Sequence, residues 1–374
     1  MSEWRQTTLD QLVKLQRGHD LPTSRRMPGS VPVMGAAGRS GTHDTAIVKA
    51  PGVVLGRAGA SMGKATYCNV DFWPLNTALY VTDFQGNDPR FAYYLLDQID
   101  FSGYNSGAAQ PMLNRNYITQ IKISLPEPTE QRAIAATLGA LDDKIAVNER
   151  ISTTYEQLLI LQVERMGLET EPDPENSVPV TDLVHFNPKV AKPSPEAIYV
   201  DMAALSTNRA AINTWTRREP KGGTRFENSD TLLARITPCL ENGKTGYVDF
   251  MKKGEVGVGS TEFIVMRSTQ GVPPEFSYFL ARNRRFREHA IRNMVGSSGR
   301  QRVAAADLAN FQVIRPDEKL LTEFGKMASN FFAHIRSLAR ESRTLARLRD
   351  TLLPQLMSGK LRVRDAEKIV EDAL

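Results

Sequence analysis

The chain has 374 residues, of which 41% are hydrophobic and 24% charged. That composition fits a folded protein of about two to three domains and excludes a disordered chain, a collagen-like repeat and a disulfide scaffold. Lysine and arginine exceed aspartate and glutamate, 47 to 42, and a net charge of +5 is only a weak pointer to nucleic acid. No apolar run reaches the about 20 residues of a membrane helix, and the polar start Met1–Arg5 reads as no secretory signal. Cys68 and Cys239 sit far apart and make neither a disulfide framework nor a zinc pattern. The expectation is a reduced, cytoplasmic setting with no membrane association.

In chain order, β-branched and aromatic runs such as Ala46–Val48 and Ala78–Val81, set between glycine turns, predict short strands. Pro89–Gln98 predicts a short helix. After Pro126 comes a long helical stretch interrupted only by Gly139. Glu169–Ser177 is acidic, contains two prolines and lacks apolar residues, which marks a linker.

Beyond it the chain is written a second time. Leu55-Gly56-Arg57 recurs as Leu233-Ala234-Arg235, Gly63–Tyr67 as Gly243–Tyr247, and Val70-Asp71-Phe72 as Val248-Asp249-Phe250. Phe91–Leu95 recurs as Phe276–Leu280, while Ser106-Gly107 and Gln110 answer to Ser298-Gly299 and Gln301. Ile121, Ile123 and Pro126 answer to Phe311, Val313 and Pro316. Each match is weak, but their common order identifies a duplicated domain. The implied organisation is a first globular domain over 1–126, a long helix over 127–168, a linker over 169–178, a second globular domain over 179–316, a long helix over 317–360 and a tail over 361–374.

Both long helices carry a heptad. Stepping four and three from Ile134 gives Leu138, Leu141, Ile145, Asn148, Ser152, Tyr155 and Leu159; from Phe324 it gives Ala328, Phe331, Ile335, Leu338, Ser342, Leu345, Arg349 and Leu352. A seam sustained over this length predicts a coiled coil. Ser152 and Ser342 fall on equivalent positions, where small residues allow two backbones to approach. Each helix is about 55 Å long, and the simplest partner for one is the other. Antiparallel pairing then sets the two globular domains at opposite ends in a pseudo-two-fold, cyclic arrangement. The fold class is mixed α+β.

Catalytic chemistry is missing from the sequence. Gly59–Ala65 resembles a phosphate loop but has three residues between its glycines and no hydroxyl residue after Lys64. The five histidines have no metal-ligand spacing, and Cys239 has no neighbouring base. No catalytic or metal-binding residue is assigned, which leaves little room for an enzyme with an unrecognised site.

Pro126-Glu127-Pro128-Thr129-Glu130-Gln131-Arg132-Ala133-Ile134-Ala135, with Leu138 and Leu141-Asp142 after it, resembles the start of the conserved helix in specificity subunits of type I restriction–modification enzymes. Leu348–Val363 is similar to the end of their second conserved helix, and Arg235–Lys244 and Gly259–Phe263 to phrases of their recognition domains. The likeness runs along essentially the whole chain, although the first helix lacks the leucine-proline-serine-glycine type of ending. It implies a non-catalytic subunit in which each recognition domain reads one half of a bipartite double-stranded DNA target. The helices set the spacer and dock two methylation subunits, with restriction subunits joining in the full complex. S-adenosylmethionine, ATP and magnesium would belong to those partners, none to this chain.

Arginine suits guanine O6/N7 and glutamine suits adenine N6/N7. The DNA-binding candidates are therefore Arg57, Lys64, Ser106, Gln110 and Arg115 in the first copy, and Arg235, Lys244, Arg284, Arg285, Arg300, Gln301 and Arg302 in the second. Seven arginines lie between Arg282 and Arg302 against the single acid Glu288, a density that predicts a mixture of phosphate contacts and solvated charges. The competing reading is a coiled-coil adaptor that joins protein partners without DNA.

Overall fold

The computed structural model describes residues 4–107 and 111–373. The chain divides into two compact units, Met1–Lys144 with Leu345–Leu374, and Ile145–Thr344. The division cuts through both long helices, so each unit combines a globular domain with parts of both.

In the first unit, strand Arg5–Thr8 pairs antiparallel with Lys122–Leu125, which closes the domain at its two ends. Between them lies a four-stranded antiparallel sheet in the order Lys14–Arg17, Ala78–Asp83, Gly52–Gly56, Ala65–Cys68. A three-stranded sheet of Gly38–His43, Val31–Gly35 and Trp73–Pro74 stands beside it. Ala46–Val48, expected as a strand, contributes only an isolated bridge from Val48 to Phe72. That run is too short between its polar flanks to build a ladder, and its Ile47 is 43% exposed.

Helix Pro89–Gln98 starts as its sequence dictates. Proline occupies the first turn, where no donor is lost, and the Asp88 carboxylate caps the N–H groups of Arg90 and Phe91 at 2.9 Å. Phe91, Ala92, Tyr94, Leu95 and Leu96 are buried.

The second unit repeats the plan. Ser177–Pro179 pairs antiparallel with Gln312–Ile314, and the four-stranded antiparallel sheet runs Val184–Phe186, Phe263–Ser268, Thr231–Ala234, Thr245–Tyr247. Strand for strand, this is the order of the first unit. A mixed sheet of Thr216–Arg218, Ala197–Val200, Gly257–Gly259 and Thr224–Phe226 is the counterpart of the smaller sheet, enlarged by one strand. Helices Phe276–Arg282 and Arg284–Arg292 follow.

The long helices span Pro128–Arg165 and Glu318–Met357. In the second unit, Asn148 Nδ2 donates to Glu341 at 2.7 Å and Ser342 at 3.3 Å, while Tyr155 stacks on Phe331 with ring centroids 4.2 Å apart. Numbers rise on one helix as they fall on the other, so the pairing is antiparallel. In the first unit, Asp142 accepts from Arg349 at 2.7 Å. Of the heptad positions, Ile134, Leu138, Leu141, Leu159, Phe324, Ile335, Leu338, Leu345 and Leu352 are buried, and Ile145, Tyr155 and Phe331 half-buried. Ser342 meets Asn148, whereas Ser152 turns its hydroxyl back to the Asn148 carbonyl of its own helix at 2.9 Å. The two serines therefore flank a polar layer rather than simply opening room for the backbones.

Each helix glycine admits a neighbour. A Cβ on Gly139 would come within 2.8 Å of the Arg90 guanidinium, which donates to the Gly139 carbonyl, and one on Gly325 within 2.7 Å of Pro273. Gln131, almost fully buried, pins the first helix. Its amide donates to Asn87 and the Pro126 carbonyl and accepts from the Asp88 N–H.

The linker is less detached than its composition suggests. Leu168 is buried, Glu169 accepts from Asn283 Nδ2 at 2.9 Å, and Ser177 already belongs to a strand. The tail is not structureless either, since Val363–Ala373 forms a helix. At the end of the second long helix, Gly359 lies against the Trp4 indole.

One acid in the second unit is strained by its surroundings. Burial pushes the Asp249 carboxyl up to about 6, against the opposing pull of Arg336, Arg340 and Arg343 on the second long helix. A raised carboxyl pKa means that folding favours the protonated form, so its contribution is present below the ordinary value near 3.8 and lost as pH rises through about 6. Asp249→Asn is expected to melt at a higher temperature than the parent at pH 7.5, with the gap closing by pH 5, as read by thermal unfolding at both pH values. A lower melting temperature for the variant at pH 7.5 would show that the arginines outweigh burial.

Candidate nucleic-acid interface

In each unit one inner strand of the antiparallel sheet is buried at every residue, Gly52–Gly56 in one and Thr231–Ala234 in the other. The residue that follows is an arginine, held by the same backbone ladder in both cases. Arg57 N–H donates to Thr77 O at 3.0 Å, and Arg235 N–H to Glu262 O at 3.0 Å. Leu113 N–H donates to Arg57 O at 2.8 Å, and Val303 N–H to Arg235 O at 3.0 Å. Gly59 N–H reaches Pro111 O, and Thr237 N–H reaches Gln301 O.

The ladder fixes which residues correspond. Thr77 answers to Glu262, Pro111 to Gln301, Met112 to Arg302 and Leu113 to Val303. Ser106 N–H donates to Met112 O and Val295 N–H to Arg302 O, each at 2.9 Å, so Ser106 answers to Val295. The sequence pairing of Ser106 with Ser298, and of Gln110 with Gln301, is therefore out of step. The loop is one residue longer in the second copy, so identical letters fall at different ladder positions. Gln110 itself lies outside the described residues.

In the first unit, Arg57 lines an open cleft of about 390 Å³ with Arg17, Arg115, Gln16, Ser106 and Asn114, and no acid among its lining residues. Arg57 Nη2 meets Met112 Sδ at 3.2 Å and Nη1 donates to Asn76 O at 3.3 Å. Burial, and then the positive charge of Arg17, hold its pKa below the usual arginine value. Such a site favours an incoming anion or acceptor. Ser106, exposed at the rim, donates to Met112 O at 3.0 Å; Arg115, also exposed, opens a one-turn helix capped by Asn114. Lys64 is exposed on the loop after the strand.

In the second unit the same place carries a mixed charge set. Glu262 takes Arg302 through Nε at 3.0 and 2.9 Å and through Nη2 at 2.7 Å. That bonding holds the Glu262 carboxyl below its usual range, while Arg235 Nε is buried and has no hydrogen-bond partner. Arg300 is exposed and Gln301 half-buried beside it. Lys244 is drawn aside, with its ammonium on Met202 O at 2.8 Å.

The arginine run from 282 onwards is largely used up within the fold. Arg285 was a DNA candidate, but its side chain is 9% exposed. It donates to Leu168 O and to Glu171 at 2.6 Å and lies over the Phe311 ring, so it faces inward and offers nothing to a phosphate. Arg284, 69% exposed, shares Glu288 and Glu169. Arg282 donates to Thr207 O and Arg287 to Glu241 O. Sequence reasoning missed Arg17 and Glu262. Arg17 stands in no local pattern, the phrase around Glu262 does not reveal its partner, and only the strand pairing brings the two to the site. Among the described residues there is no cluster of groups able to hold a metal ion, and no helix is long and apolar enough to cross a membrane.

Residues 1–157 match the family model described as the type I restriction modification DNA specificity domain. The chain is 29% identical over 171 residues to the type I restriction enzyme EcoAI specificity subunit of Escherichia coli, an alignment covering 42% of this chain and 28% of that one. It is 26% identical over 203 residues to the EcoEI specificity subunit of the same organism, covering 52% and 34%. The chain thus spans about a third of the length of these two curated relatives. With the MjaIX specificity subunit of Methanocaldococcus jannaschii it shares 24% identity over 303 residues, covering 74% of this chain and 70% of the relative. The crystal structure of a type I restriction–modification S subunit from M. genitalium shares the fold, with a TM-score of 0.58 over 95% of this chain and 96% of that one, at 16% identity.

The inward-facing arginine can be tested by stability alone. Arg285→Ala should destabilise the protein by about 1–3 kcal/mol, because it strands the Leu168 carbonyl in a buried place. Arg284→Ala, on an exposed pair, should stay within about 0.5 kcal/mol of the parent. Denaturant unfolding of the two variants reads the difference, and equal effects would contradict the inward placement.

Proposed function

We propose that this chain is the DNA sequence-specificity subunit of a type I restriction–modification system, non-catalytic itself, in which each globular domain reads one half of a bipartite target. The observation that carries this reading is the duplicated arginine site. One backbone ladder presents Arg57 and Arg235 alike, yet their neighbours have diverged, as two domains reading different half-sites require. The acid-free cleft around Arg17, Arg57 and Arg115 supports DNA over a protein-only adaptor, because phosphates and guanine edges both seek such donors. In this reading the long antiparallel helices act as the spacer between half-sites and dock two methylation subunits, and restriction subunits complete the assembly. S-adenosylmethionine, ATP and magnesium act on those partners, and the complex works in the cytoplasm.

The test is an exchange of residues 1–125 for those of a relative with a different target, co-expressed with the methylation subunit. Modification-sensitive sequencing should show one half of the methylated motif changed and the other retained. The chain without its methylation partner should transfer no methyl group to DNA from labelled S-adenosylmethionine. A change in both halves, or transfer by the chain alone, would reject the reading.

A further inference from the structure

We propose that Arg302, buttressed by Glu262, is the guanine-reading side chain of the second recognition domain, and that the first domain lacks this device. The inference rests on the DNA-reading role proposed above and adds the residue and the base.

A guanidinium has five N–H groups. On Arg302, the Nε–H and one Nη2–H go to the Glu262 carboxylate. One Nη1–H goes to the Arg300 carbonyl at 3.2 Å. What remains is one N–H on each terminal nitrogen, at the two tips of the fork. That pair matches the O6 and N7 acceptors that guanine shows in the major groove. The side chain is 41% exposed, so the edge is within reach of a partner.

The residue is also held in place. Its backbone exchanges two hydrogen bonds with Val295, both 2.9 Å, and bridges to Ile236 on the other side. A side chain fixed at its backbone and along its flank loses little freedom on binding.

Charge and surroundings separate a base reader from a phosphate clamp. Glu262 neutralises Arg302 and so removes its own net attraction for a phosphate, whereas a neutral base edge needs only donors in the right place. Val295, directly opposite Arg302 and 76% exposed, is apolar. It offers no donor to a phosphate but suits a base edge or a thymine methyl. In the first domain the ladder puts Thr77 and Met112 in the places of Glu262 and Arg302. There Arg57 meets a thioether instead of a carboxylate-braced partner.

The experiment uses the full chain assembled with its methylation subunit, a randomised double-stranded DNA library, and then duplexes carrying each of the four bases at the selected positions, over a range of salt concentrations. The wild-type complex should select a motif with a guanine whose replacement weakens binding about tenfold to a hundredfold. Arg302→Ala and Arg302→Lys should lose the preference at that position alone, with the dependence of affinity on salt unchanged. Glu262→Gln should lower the guanine preference about tenfold while steepening the salt dependence by about one ion, because the released cation can now pair with a phosphate. A merely structural role for Glu262 would weaken every sequence and leave the slope alone, which overturns the positioning role. Uniform loss with Arg302→Ala and a slope reduced by about one would make Arg302 a phosphate clamp and overturn the proposal, leaving DNA reading intact. A selected motif with no base relaxed by Arg302→Lys also overturns it. A wild-type complex without any sequence preference would instead remove the DNA-reading role beneath it.

Discussion

One inner strand of each antiparallel four-stranded sheet, Gly52–Gly56 and Thr231–Ala234, is buried at every residue, and the position of the candidate site follows from that burial. Successive side chains of a strand point to opposite faces, so an unbroken buried run such as Gly52–Gly56 needs cover on both faces. Helix Pro89–Gln98 supplies cover in the first unit and helix Phe276–Arg282 in the second. No charged side chain can stand inside such a strand without a partner. The first position past its end is where an arginine can have a saturated backbone and a side chain free to reach out. Arg57 and Arg235 both occupy it, and the N–H and carbonyl of each are taken by flanking segments. The scaffold therefore delivers the same residue to the same place twice. The differences between the sites come from whatever the neighbouring segments bring alongside.

Those neighbours also explain why net charge is a poor guide. An excess of +5 over 374 residues is small, and much of the densest arginine run is spent on carbonyls and acids of the same unit. What matters is where positive charge is left uncompensated. The cleft around Arg17, Arg57 and Arg115 has no acid among its lining residues, whereas Arg302 is braced by Glu262 and so trades raw attraction for direction. A cation without a partner attracts any phosphate. One whose charge is balanced, with a single edge of its fork left over, discriminates among neutral acceptors.

The sequence made the duplication, the long helices and the linker legible because each leaves a long-range or periodic trace. The recurrence of Leu55–Arg57 at Leu233–Arg235 falls where the structure repeats its strand, and Pro89–Gln98 begins and ends as its cap and apolar spacing require. Loops were harder. Between Ser106 and Met112, and between Val295 and Arg302, the copies differ in length, and matching letters misled by up to three residues because hydrogen bonds rather than identities set the correspondence. Glu262 was hidden for a related reason. It lies far in sequence from Arg302, and a carboxylate that braces an arginine has the same letter as one that merely faces water. A run of like charges gives no sign of which member turns inward, as Arg285 does to the Leu168 carbonyl.

The paired helices raise a question of register that apolar residues alone do not answer. A seam of leucines and isoleucines tolerates a shift by one heptad, since similar residues meet again. In the second unit Asn148 is 1% exposed on that seam and donates to Glu341 and Ser342. A shift of seven residues along the second helix would set the Asn148 amide against Ile335 instead of Ser342. Its donor would then be buried without a partner, at a cost of about 1–3 kcal/mol. Even in the observed register the amide oxygen has no partner, so the layer is not the most stable choice for the position. A leucine would bury more apolar surface but would not distinguish between registers. Polar seam residues trade stability for a single alignment in this way in other coiled coils. The stacked pair Tyr155 and Phe331, with the Tyr155 hydroxyl on His334 at 3.0 Å, adds a second layer that fits only that alignment. A helix pair proposed to set the gap between half-sites requires one register, since a slip of one heptad displaces one helix against the other by about 10 Å, about three base pairs along B-DNA.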